Sequence, residues 1–76
     1  MNVKIYTTPA CSYCRSVKMY LQQKQVKFKE VDVSRDPKSA QEMIRRSGQT
    51  GVPVVDINGK IIIGFNKPAI DKALAR

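Results

Sequence analysis

Cys11 and Cys14, two cysteines separated by two residues, are the residues of this chain whose type and spacing can do chemistry. They are the only cysteines among 76 residues, and they lie between a short apolar segment and a segment rich in helix-forming residues. A Cys-X-X-Cys pair at the junction of a strand and a helix is typical of a dithiol that cycles with a disulfide. The spacing therefore predicts a redox site.

The two cysteines have different predicted roles. Cys11 stands at the start of the predicted helix, where unpaired backbone N–H groups and the positive end of the helix dipole favour the thiolate. Cys14 follows about one turn later on the same face, within reach of a mixed disulfide on Cys11. We therefore predict that Cys11 is the nucleophile and that Cys14 is the resolving thiol.

Other uses of the cysteine pair match the sequence less well. A structural disulfide that closes so short a loop constrains the unfolded chain little. A tetrahedral zinc site needs four ligands, and the chain has two cysteines and no histidine. An iron–sulfur cluster or metal carrier would need thiolates from a dimer, and it is kept as the main alternative. A small basic binding module with incidental thiols is a further alternative.

The length and composition predict one small domain. With 76 residues, 42% of them hydrophobic, the chain is expected to form a single domain over residues 1–76. The N-terminus lacks the apolar segment of a signal peptide, and no apolar run approaches membrane-spanning length. We therefore expect a cytoplasmic protein without a membrane partner, in a compartment that keeps thiols reduced. Nothing in the sequence demands more than a monomer.

The net charge of +8 is high for so short a chain and raises the question of nucleic-acid binding. The Lys and Arg residues are dispersed, no motif of a nucleic-acid reader is present, and three Tyr and two Phe offer little for base stacking. We therefore expect no nucleic-acid partner. The charge instead favours encounters with acidic proteins or anionic small thiols.

Hydrophobic periodicity and turn signals predict seven elements in the order β-α-β-α-β-β-α. The predicted elements are a strand over Val3–Thr7, a helix from 12 to about 24, a strand over 26–33, a helix from 37 to 48, strands over 54–57 and 60–63, and a last helix after 66. The first two strands should be parallel, and Asn58-Gly59 should turn the last two into a hairpin. The predicted fold class is α/β, with a four-stranded mixed sheet flanked by helices.

The second predicted strand has an irregular pattern. Its apolar residues are Val26 and Phe28, then Val31 and Val33, so that the alternation changes phase. A strand that buries one face cannot change phase without an interruption. We therefore predict a bulge, or the end of regular pairing, near Glu30.

Helical spacing predicts which side chains of each helix face the core. The predicted inward residues are Cys14, Val17, Tyr20 and Leu21 of the first helix, Ala40, Met43 and Ile44 of the second, and Ile70, Ala73 and Leu74 of the third. Asp36 and Asn66 are placed to cap the second and third helices. We expect the ring of Tyr13 to be partly exposed and to form an apolar lip for a substrate disulfide.

The order of elements, the position of the cysteine pair and the segment Thr50-Gly51-Val52-Pro53-Val54 together resemble the glutaredoxin branch of the thioredoxin-fold family, over essentially the whole chain. The resemblance implies a thioredoxin-like fold. It also implies that Pro53 follows a cis peptide bond and lies against Cys11, and that the backbone of Val52 pairs with the bound thiol substrate. The predicted substrate-binding residues are Tyr13, Thr50, Gly51, Val52, Pro53, Gly64, Phe65 and Asn66.

Departures from the family pattern indicate which branch the chain resembles. Glutathione-using members usually carry Pro after the first cysteine, Lys three residues before it, and an acidic segment before the last helix. Here those places hold Ser12, Thr8 and Gly64-Phe65-Asn66-Lys67-Pro68, so that the amino group of glutathione would meet Lys67 instead of a carboxylate. The last segment is more similar to glutaredoxin-like proteins that serve ribonucleotide reductase and take electrons from thioredoxin reductase.

The predicted function is the reduction of disulfide-containing proteins or small disulfides by Cys11 and Cys14, in a cycle that needs no metal or organic cofactor. Thioredoxin reductase or a small thiol such as glutathione would reset the pair. Ser12 in place of a rigid proline predicts a reduction potential below that of typical glutaredoxins, toward about −270 mV. Arg46 and Gln49 are candidates to hold a carboxylate of the substrate.

Overall fold

The computed structural model describes residues 2–75 and contains seven elements around a four-stranded sheet. In chain order they are β1 (Val3–Thr7), α1 (Ser12–Gln23), β2 (Lys29–Asp32), α2 (Pro37–Ser47), β3 (Val54–Ile57), β4 (Lys60–Ile63) and α3 (Lys67–Ala75). The predicted order of elements and the α/β fold class are confirmed.

The strands lie in the order β2-β1-β3-β4. β1 runs parallel to β2, with Tyr6 opposite Val31, and antiparallel to β3, with Tyr6 opposite Val54. β4 is antiparallel to β3, so that β1, β2 and β4 all end at one edge of the sheet, where β3 begins. We call this the carboxyl edge. Each helix follows one of these three strands, and the amino ends of all three helices therefore lie on this side of the molecule.

β2 is shorter and more regular than predicted. It begins at Lys29, three residues later than expected. Its pairing with β1 continues without interruption through Glu30, which lies opposite Ile5. The predicted bulge near Glu30 is therefore wrong.

The change of phase in this segment reflects a change of buried face. Val26 and Phe28, which precede β2, pack against the core that α1 and α3 cover. Val31 and Val33 pack against the core on the opposite face of the sheet, beneath α2. Because helices cover both faces, the chain can bury side chains first on one face and then on the other without breaking the pairing.

The sheet separates two hydrophobic cores. The core beneath α1 and α3 contains Val3, Ile5, Val17, Leu21, Val55, Ile57, Ile62 and Ile70. The smaller core beneath α2 contains Tyr6, Met43 and Val54. Full burial of an aliphatic side chain contributes about 1.5–3 kcal/mol, so the larger core dominates the hydrophobic stabilisation.

Most of the predicted inward helix residues are buried or half-buried, and Ile44 is the one that is exposed. Its side chain is 41% exposed, whereas Met43 is buried. Ile44 lies about 100° around α2 from Met43, and the small core beneath α2 accommodates only a narrow apolar stripe. None of the helices in residues 2–75 combines the length and apolar character that crossing a bilayer requires.

The predicted caps and turn are confirmed. The side chain of Asp36 accepts bonds from the N–H groups of the second and third residues of α2, and Gly48 ends that helix with φ +77°. Asn66 Oδ1 accepts a 3.1 Å bond from the N–H of the third residue of α3. Asn58 and Gly59 have φ values of 52° and 90°, as a tight hairpin turn requires.

Candidate active site

The two cysteines lie at disulfide distance at the amino end of α1, with their Cα atoms 5.2 Å apart. Cys11 is the N-cap residue, and its Sγ accepts a 3.1 Å hydrogen bond from the backbone N–H of Cys14. Cys14 lies in the first turn and is 1% exposed, whereas Cys11 is half-buried. The predicted position of Cys11 before the helix is confirmed, and Cys11 is the more exposed residue of the pair.

Tyr13 projects from the first turn of α1 between the cysteines and is 66% exposed. This exposure agrees with the prediction from the sequence. The neighbouring Arg15 is also exposed, and the first turn of α1 carries no acidic residue. The surface beside the cysteine pair therefore combines an aromatic ring with positive charge.

The segment from Thr50 to Pro53 reaches the carboxyl edge of the sheet. The Val52–Pro53 peptide bond is cis, as the resemblance implied. Pro53 is buried and directly precedes Val54, the residue opposite Tyr6 near the end of β1. The segment thus reaches the same edge from which the chain leaves β1 toward Cys11.

A backbone hydrogen bond joins two of the predicted substrate-binding segments. The N–H of Gly64 donates to the C=O of Pro53 at 2.9 Å, just beyond the pairing of Val54 with Ile63. Residues 50–53 and 64–66 are therefore neighbours at the carboxyl edge, although they are separated in sequence by the β3–β4 hairpin. Thr50 and Gly51 are exposed.

Phe65 and Asn66 have structural contacts of their own. The Phe65 ring packs edge-on against Tyr20 of α1, with ring centroids 5.8 Å apart. Asn66 caps α3 through its side chain. The ammonium of Lys67 lies 5.4 Å from the Tyr20 ring centroid and 5.5 Å from that of Phe65, within the range of a cation–π interaction.

A polar contact between β1, β2 and α1 was not predicted from the sequence. The Glu30 carboxylate accepts a 2.9 Å bond from the Lys18 ammonium and a 2.8 Å bond from the buried Thr7 hydroxyl. Lys18, and then Thr7, hold the pKa of Glu30 below its ordinary value. The signal in the sequence is a carboxylate two residues after Phe28, on the face that packs against α1.

The side chains of Arg46 and Gln49 both bind other groups of this chain. The Arg46 guanidinium forms an ion pair with Asp56 of β3, which raises the pKa of the arginine further. The Gln49 side-chain amide donates a 3.4 Å bond to the C=O of Gly51. Arg46 therefore has a carboxylate partner without a substrate.

Metal ligation by one copy of the chain has no support in the part that the structure describes. Within residues 2–75, no group of three or more His, Cys, Asp or Glu residues is arranged to hold a metal ion. The metal-carrier alternative would thus need ligands from a second copy.

Comparison with known proteins identifies the family. The family model of glutaredoxins matches residues 3–62. This chain belongs to the glutaredoxin family. Glutaredoxins are thiol-disulfide oxidoreductases, so the family assignment agrees with the chemistry expected of the cysteine pair.

Similar proteins align with most of the length of this glutaredoxin-family chain. It is 47% identical to an uncharacterized glutaredoxin-like 8.6 kDa protein in the rubredoxin operon of Clostridium pasteurianum, covering 97% of this chain and 99% of that protein. It is 41% identical to glutaredoxin 3 of Escherichia coli, over 83% of this chain and 76% of that protein. The structure of the glutaredoxin-like NrdH-redoxin from Escherichia coli superposes with a TM-score of 0.83 at 28% identity, over 95% of this chain and 93% of that protein. The thioredoxin-like fold is confirmed.

Proposed function

We propose that this member of the glutaredoxin family reduces disulfides through Cys11 as nucleophile and Cys14 as resolving thiol. The observation that supports these roles is the difference in exposure between the two residues. A nucleophile has to meet an external disulfide, whereas a resolving thiol only has to reach its neighbour. The N–H of Cys14, 3.1 Å from Cys11 Sγ, is placed to stabilise a thiolate on that sulfur.

The proposed cycle has three steps. The Cys11 thiolate attacks a substrate disulfide, forms a mixed disulfide and releases one substrate sulfur as a thiolate that takes up a proton. The Cys14 thiol loses its proton and attacks the Cys11 sulfur, which releases the second substrate thiol and leaves the Cys11–Cys14 disulfide. Two electrons and two protons from an external dithiol or from two small thiols then restore the reduced pair.

We propose that the substrate lies along the carboxyl edge beside Cys11. The residues assigned to this surface are Tyr13, Thr50, Gly51, Val52, Pro53, Gly64, Phe65 and Asn66. The bond between Gly64 and Pro53 supports the grouping, because it holds two of these segments side by side. The backbone of Val52 is proposed to pair with the substrate chain next to its disulfide.

For the reductant, we propose thioredoxin reductase, with glutathione as the alternative. Lys67 replaces an acidic partner for the amino group of glutathione, and its ammonium is held beside Tyr20 and Phe65. The similar NrdH-redoxin of Escherichia coli has a thioredoxin-like activity profile, which favours a thioredoxin-type reductant for this chain as well. The proposal takes residues 1–76 as one domain that acts as a monomer in a reducing cytoplasm.

A redox titration of the purified protein in glutathione buffers, followed by intact mass, tests the proposal. We expect one intramolecular disulfide with a midpoint toward about −270 mV, because Ser12 leaves the helix start less rigid than proline would. A midpoint well above about −200 mV would contradict the predicted potential. Thiols that do not pair, together with metal that copurifies, would instead support the metal carrier.

Single cysteine variants test the two roles. Cys11→Ser is expected to abolish reduction of a protein disulfide, because the attacking sulfur is gone. Cys14→Ser is expected to retain the first attack and to accumulate a mixed disulfide that mass spectrometry detects on Cys11. If both variants lose the first attack equally, the assignment of roles is wrong.

A further inference from the structure

We propose that the carboxyl edge of the sheet, with the starts of the three helices, is a docking surface for acidic protein partners. The inference builds on the proposed function and names the class of protein that presents its disulfide to Cys11. It depends on where the charges of the folded chain lie.

All six Asp and Glu side chains are engaged within the molecule. Five of them form an ion pair, which joins Glu30 to Lys18, Asp32 to Arg35, Glu42 to Lys4, Asp56 to Arg46 and Asp71 to Lys24. Glu30, Asp32, Glu42 and Asp71 also accept hydrogen bonds from the hydroxyl groups of Thr7, Ser34, Tyr6 and Tyr20, respectively. The sixth, Asp36, caps α2. Five of the Lys and Arg residues take part in these ion pairs. Within residues 2–75, none of the other Lys and Arg side chains forms a salt bridge with an Asp or Glu of this chain, although Lys38 helps to lower the pKa of Asp36 from beyond salt-bridge distance.

Three of these unpaired cations lie at the starts of the helices. Arg15, Lys38 and Lys67 belong to the first turns of α1, α2 and α3, all three are exposed, and within residues 2–75 none forms a salt bridge. The first turns contain no acidic residue. Cations at this end of a helix oppose the dipole and cost some stability, so the helix dipole does not explain the positive charge here.

The position of these cations favours a protein over a small anion. Lys38 belongs to α2, which covers one face of the sheet, whereas Arg15 and Lys67 belong to helices that cover the other. Only an extended partner can contact all three at once. The exposed ring of Tyr13 adds the apolar contact that protein interfaces use, and Lys67 is already held in place by two aromatic rings.

Disulfide-bonded peptides of different charge test this inference. Three peptides share one disulfide ring and differ only in flanking residues, which are Glu, Gln or Lys. The reduced protein is expected to react about tenfold faster with the Glu peptide than with the Gln peptide at low salt, and slowest with the Lys peptide. The Glu preference is expected to disappear as NaCl rises toward about 0.3 M.

Charge-reversal variants distinguish the effect of the cations at the carboxyl edge from the effect of the net charge. K38E/K67E is expected to bring the ratio of the Glu and Gln rates to about one or below, because two of the three cations are reversed. K27E/K60E is the matched control, because it changes the net charge equally, and Lys27 and Lys60 lie near the starts of β2 and β4, at the opposite edge. The control is expected to keep most of the Glu preference.

Two results would overturn the docking surface while leaving the redox function intact. One is equal rates for the three peptides at low salt. The other is an equal loss of Glu preference in K38E/K67E and K27E/K60E, which would assign the preference to net charge alone. Failure to reduce even the Gln peptide would instead contradict the proposed oxidoreductase function.

Discussion

Cys11 and Cys14 have the same side chain, and their surroundings differentiate them. The N-cap position gives Cys11 a backbone donor and leaves it half-buried, and the first turn places Cys14 in the protein interior. A cap residue is normally Ser, Thr, Asp or Asn, and here the sulfur accepts the bond that their oxygen would accept. The site thus depends on a local helix signal in which the capping group is also the reactive group.

Tyr13 provides a test at the scale of one residue. Tyr13→Ala is expected to lower the rate constant for a protein disulfide about fivefold, because the ring supplies an apolar surface beside Cys11, and to leave the melting temperature unchanged, because the side chain is exposed. Stopped-flow thiol exchange and thermal melts measure the two quantities. Met19→Ala is the matched control, since Met19 is 60% exposed and lies farther along α1. Equal losses in both variants would contradict the role of Tyr13.

At the scale of elements, the β3–β4 hairpin connects the two segments assigned to substrate binding. β3 begins after Pro53, β4 ends before Gly64, and the two strands keep an uninterrupted antiparallel register. The turn at Asn58-Gly59 sets that register, because a two-residue turn determines which residues lie opposite each other. Local turn chemistry at one edge of the sheet therefore determines the geometry at the carboxyl edge.

The hairpin turn gives a prediction on stability. Gly59→Ala is expected to lower the free energy of unfolding by about 1 kcal/mol or more, because Gly59 has a φ of +90° that a side chain strains. Urea denaturation measures the change. Gly51→Ala is the control and is expected to change the free energy of unfolding by less than about 0.5 kcal/mol, because the nearest atom to an added Cβ is the end of Gln49 at 3.8 Å. A loss as large for Gly51→Ala would contradict this explanation.

At the scale of the whole molecule, the balance of charge determines how the protein responds to acid. Four carboxyl groups have pKa values below their ordinary values, those of Glu30, Asp32, Asp36 and Glu42. Each is held there mainly by hydrogen bonds, from Lys18 in the case of Glu30 and from Tyr6 in the case of Glu42. A lowered pKa stabilises the folded state above the ordinary pKa, and this contribution is lost as the pH falls through the lowered value.

Thermal melts of the oxidised protein across pH test this balance. We expect a melting temperature that is nearly constant between about pH 5 and about pH 8, because the chain has no histidine, and that falls below the ordinary Glu pKa of 4.5. Glu30→Gln is expected to melt lower than the unsubstituted protein at pH 7 and to lose less stability in acid. A large change between pH 5 and pH 8, or an identical acid response in Glu30→Gln, would contradict the assignment.

The sequence by itself determined the features that depend on neighbours along the chain. The Cys11–Cys14 spacing, the Asp36 cap and the Asn58-Gly59 turn are local signals, and each has a physical cause within a few residues. The order of elements followed from the same signals together with hydrophobic periodicity. The cap, the turn and the order of elements were confirmed because no distant part of the chain has to be known to predict them.

The tertiary structure decided what depends on residues far apart in sequence. Only packing on both faces of the sheet shows that Val31 and Phe28 pack against opposite faces without a bulge, and that Ile44 falls outside the narrow core beneath α2. Only the strand pairing brings Gly64 to Pro53. The contact of Glu30 with Lys18 and the common side of the three helix starts likewise follow from strand direction and register, which hydrophobic patterns do not specify.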